Sequence, residues 1–237
     1  MKHVISLAIV TLLAACGGGG SDAPAAPTAA PAAPPVCNLV KVATFGDSTM
    51  DGNAHRDAMQ RGVDTRLGAG RAVIENRAVS GTAAFQLLAG MDGRNAVWSQ
   101  QLVTTRPDVV LINHGINDMA HQRPLAQYRA DLVALVAQAQ QAGAVVVLQT
   151  PVPQTLMPPY GLEWRVTAIR DYAQVMRDVA TEHRAGLAEV SRFVESLPDF
   201  EIHISDGIHP DADLVERMYG GPVAAALAAA ARGKCGR

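Results

Sequence analysis

Aromatic side chains make up only 4% of this 237-residue chain, and no run of basic residues occurs in it. Nucleic-acid binders neutralise phosphates with clustered Lys and Arg and stack bases on aromatic rings, so nucleic acid is not an expected partner. Net charge is also scarce: 20 Lys and Arg stand against 22 Asp and Glu, leaving −2. Long apolar runs are missing, the longest at the N-terminus being about ten residues where a membrane-spanning helix needs about 20. No phosphate-binding loop and no His-Glu-x-x-His helix is present, and Gly68-Ala69-Gly70 has Val73 where a dinucleotide fingerprint puts its third glycine. His114, His121 and His203 match no common metal-ligand spacing, so neither metal nor cofactor is expected. No internal repeat is evident. What is present is a 49% apolar composition, enough to build a core.

The N-terminus carries Lys2, an apolar run from Val4 to Leu12, then Leu13-Ala14-Ala15-Cys16. That order of basic, apolar and small residues is an export signal, and its end resembles the bacterial lipobox. The resemblance implies cleavage before Cys16, lipid attachment to Cys16 and a membrane anchored through that lipid; the alternative is a plain signal peptide cut nearby. Residues 16–36 follow with four glycines, an Ala/Pro repeat and only Asp22 charged. Such a segment cannot pack and is expected to act as a tether. No Asp stands at position 17, which resembles lipoproteins sorted to the outer membrane and facing the periplasm. The expected organisation is a signal at 1–15, a lipidated tether at 16–36 and one folded domain at 37–237.

Of three cysteines, Cys16 is taken by the lipobox. Cys37 and Cys235 then bracket the domain, and an even pair in an oxidising compartment suggests a disulfide. A bridge closing so long a loop is worth roughly 5 kcal/mol by loop entropy; two free thiols are the alternative.

From Leu39 onward apolar runs alternate with helical patterns. Strands are expected at 39–45, 73–76, 108–113, 144–149 and 186–190, and their unbroken Val/Ile/Leu runs suit a parallel sheet covered on both faces. Leu125, Tyr128, Leu132, Leu135, Val136 and Ala139 recur at three- and four-residue intervals after Pro124, predicting a helix over 124–141. Ile169, Tyr172, Val175, Met176 and Val179 do the same within 160–183, and 211–231 is helical in composition but interrupted at Gly220-Gly221-Pro222. The fold class is α/β: a three-layer α/β/α, flavodoxin-like, doubly wound sheet of about five parallel strands.

In such sheets, sites form where strands end. Gly46-Asp47-Ser48 follows the first strand, Ser80-Gly81 the second, His114-Gly115-Ile116-Asn117-Asp118 the third, and Asp206-Gly207-Ile208-His209 lies near the C-terminus. A serine hydroxyl attacks only when a histidine takes its proton, and the histidine needs a carboxylate to fix its tautomer. Asp206 and His209 are close enough in sequence to meet on one turn. Backbone N–H groups of Ser48 and Gly81 and the Asn117 amide could receive a developing oxyanion. No glycine stands two positions after Ser48, so this is not a Gly-x-Ser-x-Gly elbow.

The four blocks together resemble those of the SGNH hydrolase superfamily, the GDSL-like esterases and lipases. The resemblance covers most of the domain and implies Ser48 as nucleophile, Asp206 and His209 as its acid–base partners, and Ser48, Gly81 and Asn117 as the oxyanion hole. Thr49 departs from the aliphatic residue many members carry and resembles the start found in carbohydrate acetylesterases of the superfamily. His114 is a candidate pocket residue beside the third block. Met157, Tyr160 and Trp164 lie in a Pro-rich stretch that either shapes the cleft or packs as a surface loop. The expected function is hydrolysis of a carboxylic ester, small or glycan-linked, through an acyl-enzyme by a monomer. The alternatives are O-deacetylation of, or acyl transfer to, an envelope glycan, and a non-catalytic envelope lipoprotein that binds a glycan or protein partner.

Overall fold

The computed structural model describes residues 39–91, 95–156 and 163–235. Cys16, Cys37, Met157 and Tyr160 lie outside these, as do the signal, the tether, the 36/37 boundary and the proposed Cys37 to Cys235 pairing. Parallel strands β1 (Val40–Gly46), β2 (Ala72–Asn76), β3 (Val109–Asn113), β4 (Val145–Gln149) and β5 (Gly186–Ala188) form one sheet in the order β2-β1-β3-β4-β5. Val42 pairs with Val109 and Ile74 in register, and Val109 in turn with Val145. Every residue of β3 is buried, as expected of a central strand with helices on both faces.

Helices α1 (Asn53–Leu67), α8 (Ala212–Met218) and α9 (Ala224–Cys235) cover one face. The other carries α2 (Ala84–Ala89), α3 (Trp98–Thr105), α5 (Leu125–Gln141) and α6 (Glu163–Glu182). Short helices α4 (Ile116–Ala120) and α7 (Val190–Glu195) and a 3-10 turn at Phe200–His203 join them. The three-layer doubly wound architecture is as the alternation implied. Among the described residues no helix is long and apolar enough to cross a membrane.

Local departures have physical causes. The predicted 124–141 helix begins at Leu125, with Pro124 at the N-cap in an extended conformation, because the proline lacks an N–H and its carbonyl can still accept the first helical bond. The interruption at Gly220-Gly221-Pro222 is a π-helical segment, Tyr219–Val223, with Gly221 outside helical dihedrals. There α1 approaches closely: a Cβ on Gly62 would lie 2.5 Å from the Ala224 Cβ and 2.6 Å from the Gly220 carbonyl oxygen. On the opposite side Trp98 is fully buried, meets Phe45 edge-on at 4.7 Å and donates its indole N–H to the Leu135 carbonyl at 3.1 Å. Indoles tolerate such burial when the N–H finds an acceptor.

Candidate active site

The strand order reverses between β1 and β3, and the crevice at their carboxyl ends is where doubly wound folds place ligands. Ser48 stands there, half-buried, in a turn closed by Met50 and Asp51 N–H groups donating to the Asp47 carbonyl, both at 3.0 Å. The Asp47 side chain turns inward, where its Oδ1 accepts from the Thr49 N–H at 2.9 Å and the Thr49 hydroxyl at 2.8 Å. Burial pushes the Asp47 carboxyl up to about 6, against the bonds from Thr49 and the charge of His209, which pull it down. Beneath the same turn the buried Tyr219 hydroxyl donates to the Thr49 carbonyl at 2.7 Å and accepts from the amides of Asn113 at 3.3 Å and Gln149 at 3.4 Å.

Asp206 and His209 arrive from the loop before α8. Gly207 between them has φ +82°, a left-handed conformation that glycine adopts without the Cβ penalty other residues carry. Asp206 Oδ1 accepts the N–H groups of Ile208 at 2.8 Å and His209 at 2.6 Å, and its Oδ2 meets His209 Nδ1 at 2.6 Å. His209 Nε2 then lies 2.8 Å from Ser48 Oγ. Desolvation pushes the Asp206 carboxyl up, but these bonds from His209 and Ile208 outweigh it and hold it below the ordinary carboxylate range. An ionised Asp206 accepting from Nδ1–H leaves Nε2 free to receive the serine proton.

The loop that carries Gly81 is strapped to the end of β1, two residues before Ser48: the Gly46 carbonyl accepts from the Val79 N–H at 2.9 Å and the Thr82 hydroxyl at 3.1 Å. Gly81 has φ +82° with open space where a side chain would stand. The N–H groups of Ser48 and Gly81 have no protein acceptor among the described residues. Asn117 lies on α4 and gives one amide hydrogen to the Thr82 carbonyl at 3.0 Å, which leaves the second free. Next to it the buried Asp118 carboxylate accepts the Ala84 N–H at 3.1 Å on each oxygen. Burial pushes Asp118 up to about 7. Asn117 and Asp118 together therefore pin the Gly81 loop to α4.

His114, the candidate beside the third block, is buried. It is 1% exposed, neither ring nitrogen has a partner among the described residues, and burial pushes it down to about 3, so it stays neutral. The residue after a buried strand is still sealed within the core here. Trp164, 42% exposed, borders a cavity of about 540 Å³ with Met119, Arg123, Leu125 and Tyr172. Sequence reasoning missed Tyr219, whose neighbours Gly220 to Pro222 signalled only a break, and it gave Asp118 no role beyond its place in the third block.

The GDSL-like lipase/acylhydrolase family matches residues 44–215. The chain belongs to that family and is a serine hydrolase of the GDSL type. Its fold is similar to that of a lipase/acylhydrolase from Enterococcus faecalis, at 18% identity, TM-score 0.65, covering 81% of this chain and 96% of that one. It is also similar to Axe2, an acetyl xylan esterase from Geobacillus stearothermophilus, at 19% identity and TM-score 0.62 over 81% and 94% of the two chains. TesA is similar too, at 23% identity and TM-score 0.60 over 79% and 97%. No curated protein sequence matches the chain.

Proposed function

We propose that this protein is a serine esterase that hydrolyses carboxylic esters through an acyl-enzyme on Ser48. The observation that carries this reading is the continuous line from Asp206 through His209 to the Ser48 hydroxyl, with bonds of 2.6 and 2.8 Å. As Ser48 Oγ bonds to the ester carbonyl carbon, its proton passes to His209 Nε2, and the carbonyl π pair becomes the oxyanion held by Ser48 N–H, Gly81 N–H and the free Asn117 amide hydrogen. Collapse breaks the bond to the alkoxide, which leaves as alcohol with the proton from His209. Water then repeats the sequence on the acyl-enzyme and frees the acid. Asp206 stays ionised throughout and stabilises the imidazolium.

A second reading, removal of acetyl groups from an envelope glycan, is supported by the openness of the site. The Asp206 and His209 side chains are 49% and 45% exposed among the described residues, which suits an ester on a bulky alcohol better than an engulfed long chain. Axe2, similar in fold, is an acetyl xylan esterase. The lipobox-like Leu13-Ala14-Ala15-Cys16 and the tether at 16–36 support an outer-membrane anchor holding the domain in the periplasm.

Turnover of p-nitrophenyl acetate and butyrate, and release of acetate from acetylated oligosaccharides, tests both readings. Wild type is expected to exceed Ser48→Ala by about a thousandfold or more. Equal rates from the two proteins sink the esterase reading, and p-nitrophenyl turnover without acetate release sinks the glycan one.

A further inference from the structure

Among the described residues the Asp206 and His209 side chains are only about half covered. Their aim at Ser48 therefore depends on the backbone of residues 204–210, and so on what holds that loop. His203 ends the 3-10 turn on one side, and Asp211 caps α8 on the other. His203 Nδ1 lies 2.8 Å from Asp211 Oδ2, and the Asp211 N–H donates to the His203 carbonyl at 2.8 Å. Asp211 Oδ1 is occupied separately, accepting the Leu214 N–H at 2.9 Å. One carboxylate thus starts α8 and closes the base of the loop. From the β4 side Thr155 adds two straps, its hydroxyl to the Ile204 carbonyl at 2.8 Å and its N–H to the Gly207 carbonyl at 3.2 Å.

We propose that His203 is a positioning residue: with Asp211 it forms a proton-dependent clamp across the base of the 204–210 loop that keeps Asp206 and His209 aligned on Ser48. The inference rests on the esterase reading of that triad.

The surroundings of His203 make the clamp sensitive to charge. Its Nε2 faces Asp199 at 3.6 Å, Asp213 at 3.8 Å and Arg217 Nη1 at 3.4 Å, and Arg217 is itself paired with Asp213 at 3.2 Å. Arg217 can donate to Nε2 only while that nitrogen carries no proton, and so opposes the imidazolium, but at 3.4 Å it is outweighed by the three carboxylates. The Asp211 hydrogen bond, against slight desolvation and with the charges of Asp211, Asp199 and Asp213, holds His203 above the ordinary histidine value. A group raised in the folded state contributes fully below its ordinary value and loses that contribution as pH rises through the raised one. Neutral His203 keeps an Nδ1–H for Asp211 but loses the ionic part of the bond, which is the stronger part. The two histidines therefore act in opposite directions: His209 serves as a proton acceptor, whereas His203 must keep its own proton to hold the loop tightly. A rate that declines on the alkaline side is the consequence.

The test measures kcat and KM for p-nitrophenyl acetate from pH 5 to 9 on the full chain, with hydroxide background subtracted. Four proteins are compared: wild type, Ser48→Ala, His203→Ala and His203→Asn, in which the amide N–H stands near the former Nδ1 without a charge. His203→Ala is expected to lower kcat about tenfold or more, as loosened catalytic geometry does, with KM within about twofold. His203→Asn, which like neutral His203 keeps the hydrogen bond without the charge, is expected to run at every pH near the lower kcat that wild type reaches on the alkaline side, above His203→Ala, and to lose the alkaline decline. Retention of wild-type kcat and of the alkaline decline by His203→Ala overturns the proposal. If His203→Ala does not fold, by circular dichroism, His203→Asn decides alone, and a wild-type alkaline decline in it overturns the proposal. Ser48→Ala as active as wild type removes the esterase reading and the clamp with it; Ser48-dependent activity indifferent to position 203 removes only the clamp.

Discussion

Tyr219→Phe removes one oxygen from beneath the nucleophile turn. That hydroxyl is fully buried, donates to the Thr49 carbonyl at 2.7 Å and is the acceptor for the Asn113 and Gln149 amides. Phenylalanine fills the same ring space, so the cost is polar: a buried carbonyl without its donor costs about 1–3 kcal/mol. At 2.7 Å the Thr49 bond is the strong one and accounts for about 2 kcal/mol. The amide bonds, at 3.3 and 3.4 Å, are long, and Asn113 retains a second acceptor in the Thr49 hydroxyl at 3.3 Å. They add about 1 kcal/mol, giving a total near 3 kcal/mol. Urea unfolding followed by circular dichroism is expected to show an unchanged slope and a midpoint lower by about 1.5 M, taking a slope of about 2 kcal/mol per molar. Because Thr49 follows Ser48, kcat is expected to fall in the same variant while secondary structure content stays the same. A loss below about 0.5 kcal/mol would mean that water or a rearranged amide replaces the hydroxyl, and would refute the view that Tyr219 props the turn.

Asn117→Ala is expected to lower kcat for p-nitrophenyl acetate by 100- to 1000-fold, about 3 kcal/mol for an oxyanion donor, with KM little changed; a drop smaller than about fivefold would remove Asn117 from the hole. Asp118→Asn keeps an acceptor for the Ala84 N–H but cannot ionise. The wild-type carboxyl is raised from 3.8 to about 7, so the folded state holds a proton that the unfolded chain releases, and wild type loses stability as pH rises through that interval. The variant is expected to match wild type near pH 4 and gain on it as pH rises, toward an upper bound on the order of 4 kcal/mol above pH 7. A difference that is the same at pH 4.5 and pH 8 in urea titrations would count against a buried, proton-holding Asp118.

Elements with one dominant periodicity are legible in the sequence. The Val/Ile/Leu run of β3 and the stripe from Tyr128 to Ala139 in α5 declare themselves because burial of one face leaves a local pattern. Helix α1 was not legible, since its buried positions are Ala58, Met59, Gly62 and Val63, a stripe too small and mixed to stand out. It is held instead by the close approach of Gly62 to Gly220 and Ala224, residues far away in the chain.

The same division runs through the site. Ser48, Gly81, Asn117, Asp206 and His209 were named from sequence because strand-end position and side-chain chemistry are both local properties, and four ordered blocks rarely coincide by chance. The supports were not: Asp47, Asp118 and Asp211 look alike in sequence as turn formers, yet the first two are buried and raised while the third is exposed and caps α8. His114 and His203 likewise differ only in where their rings end up, one sealed and neutral, the other facing three carboxylates. Sequence alone determined the class of fold, the family and the candidate chemistry. Tertiary structure decided which polar groups lose water and which partners they meet, because desolvation and hydrogen bonding depend on neighbours distant in the chain.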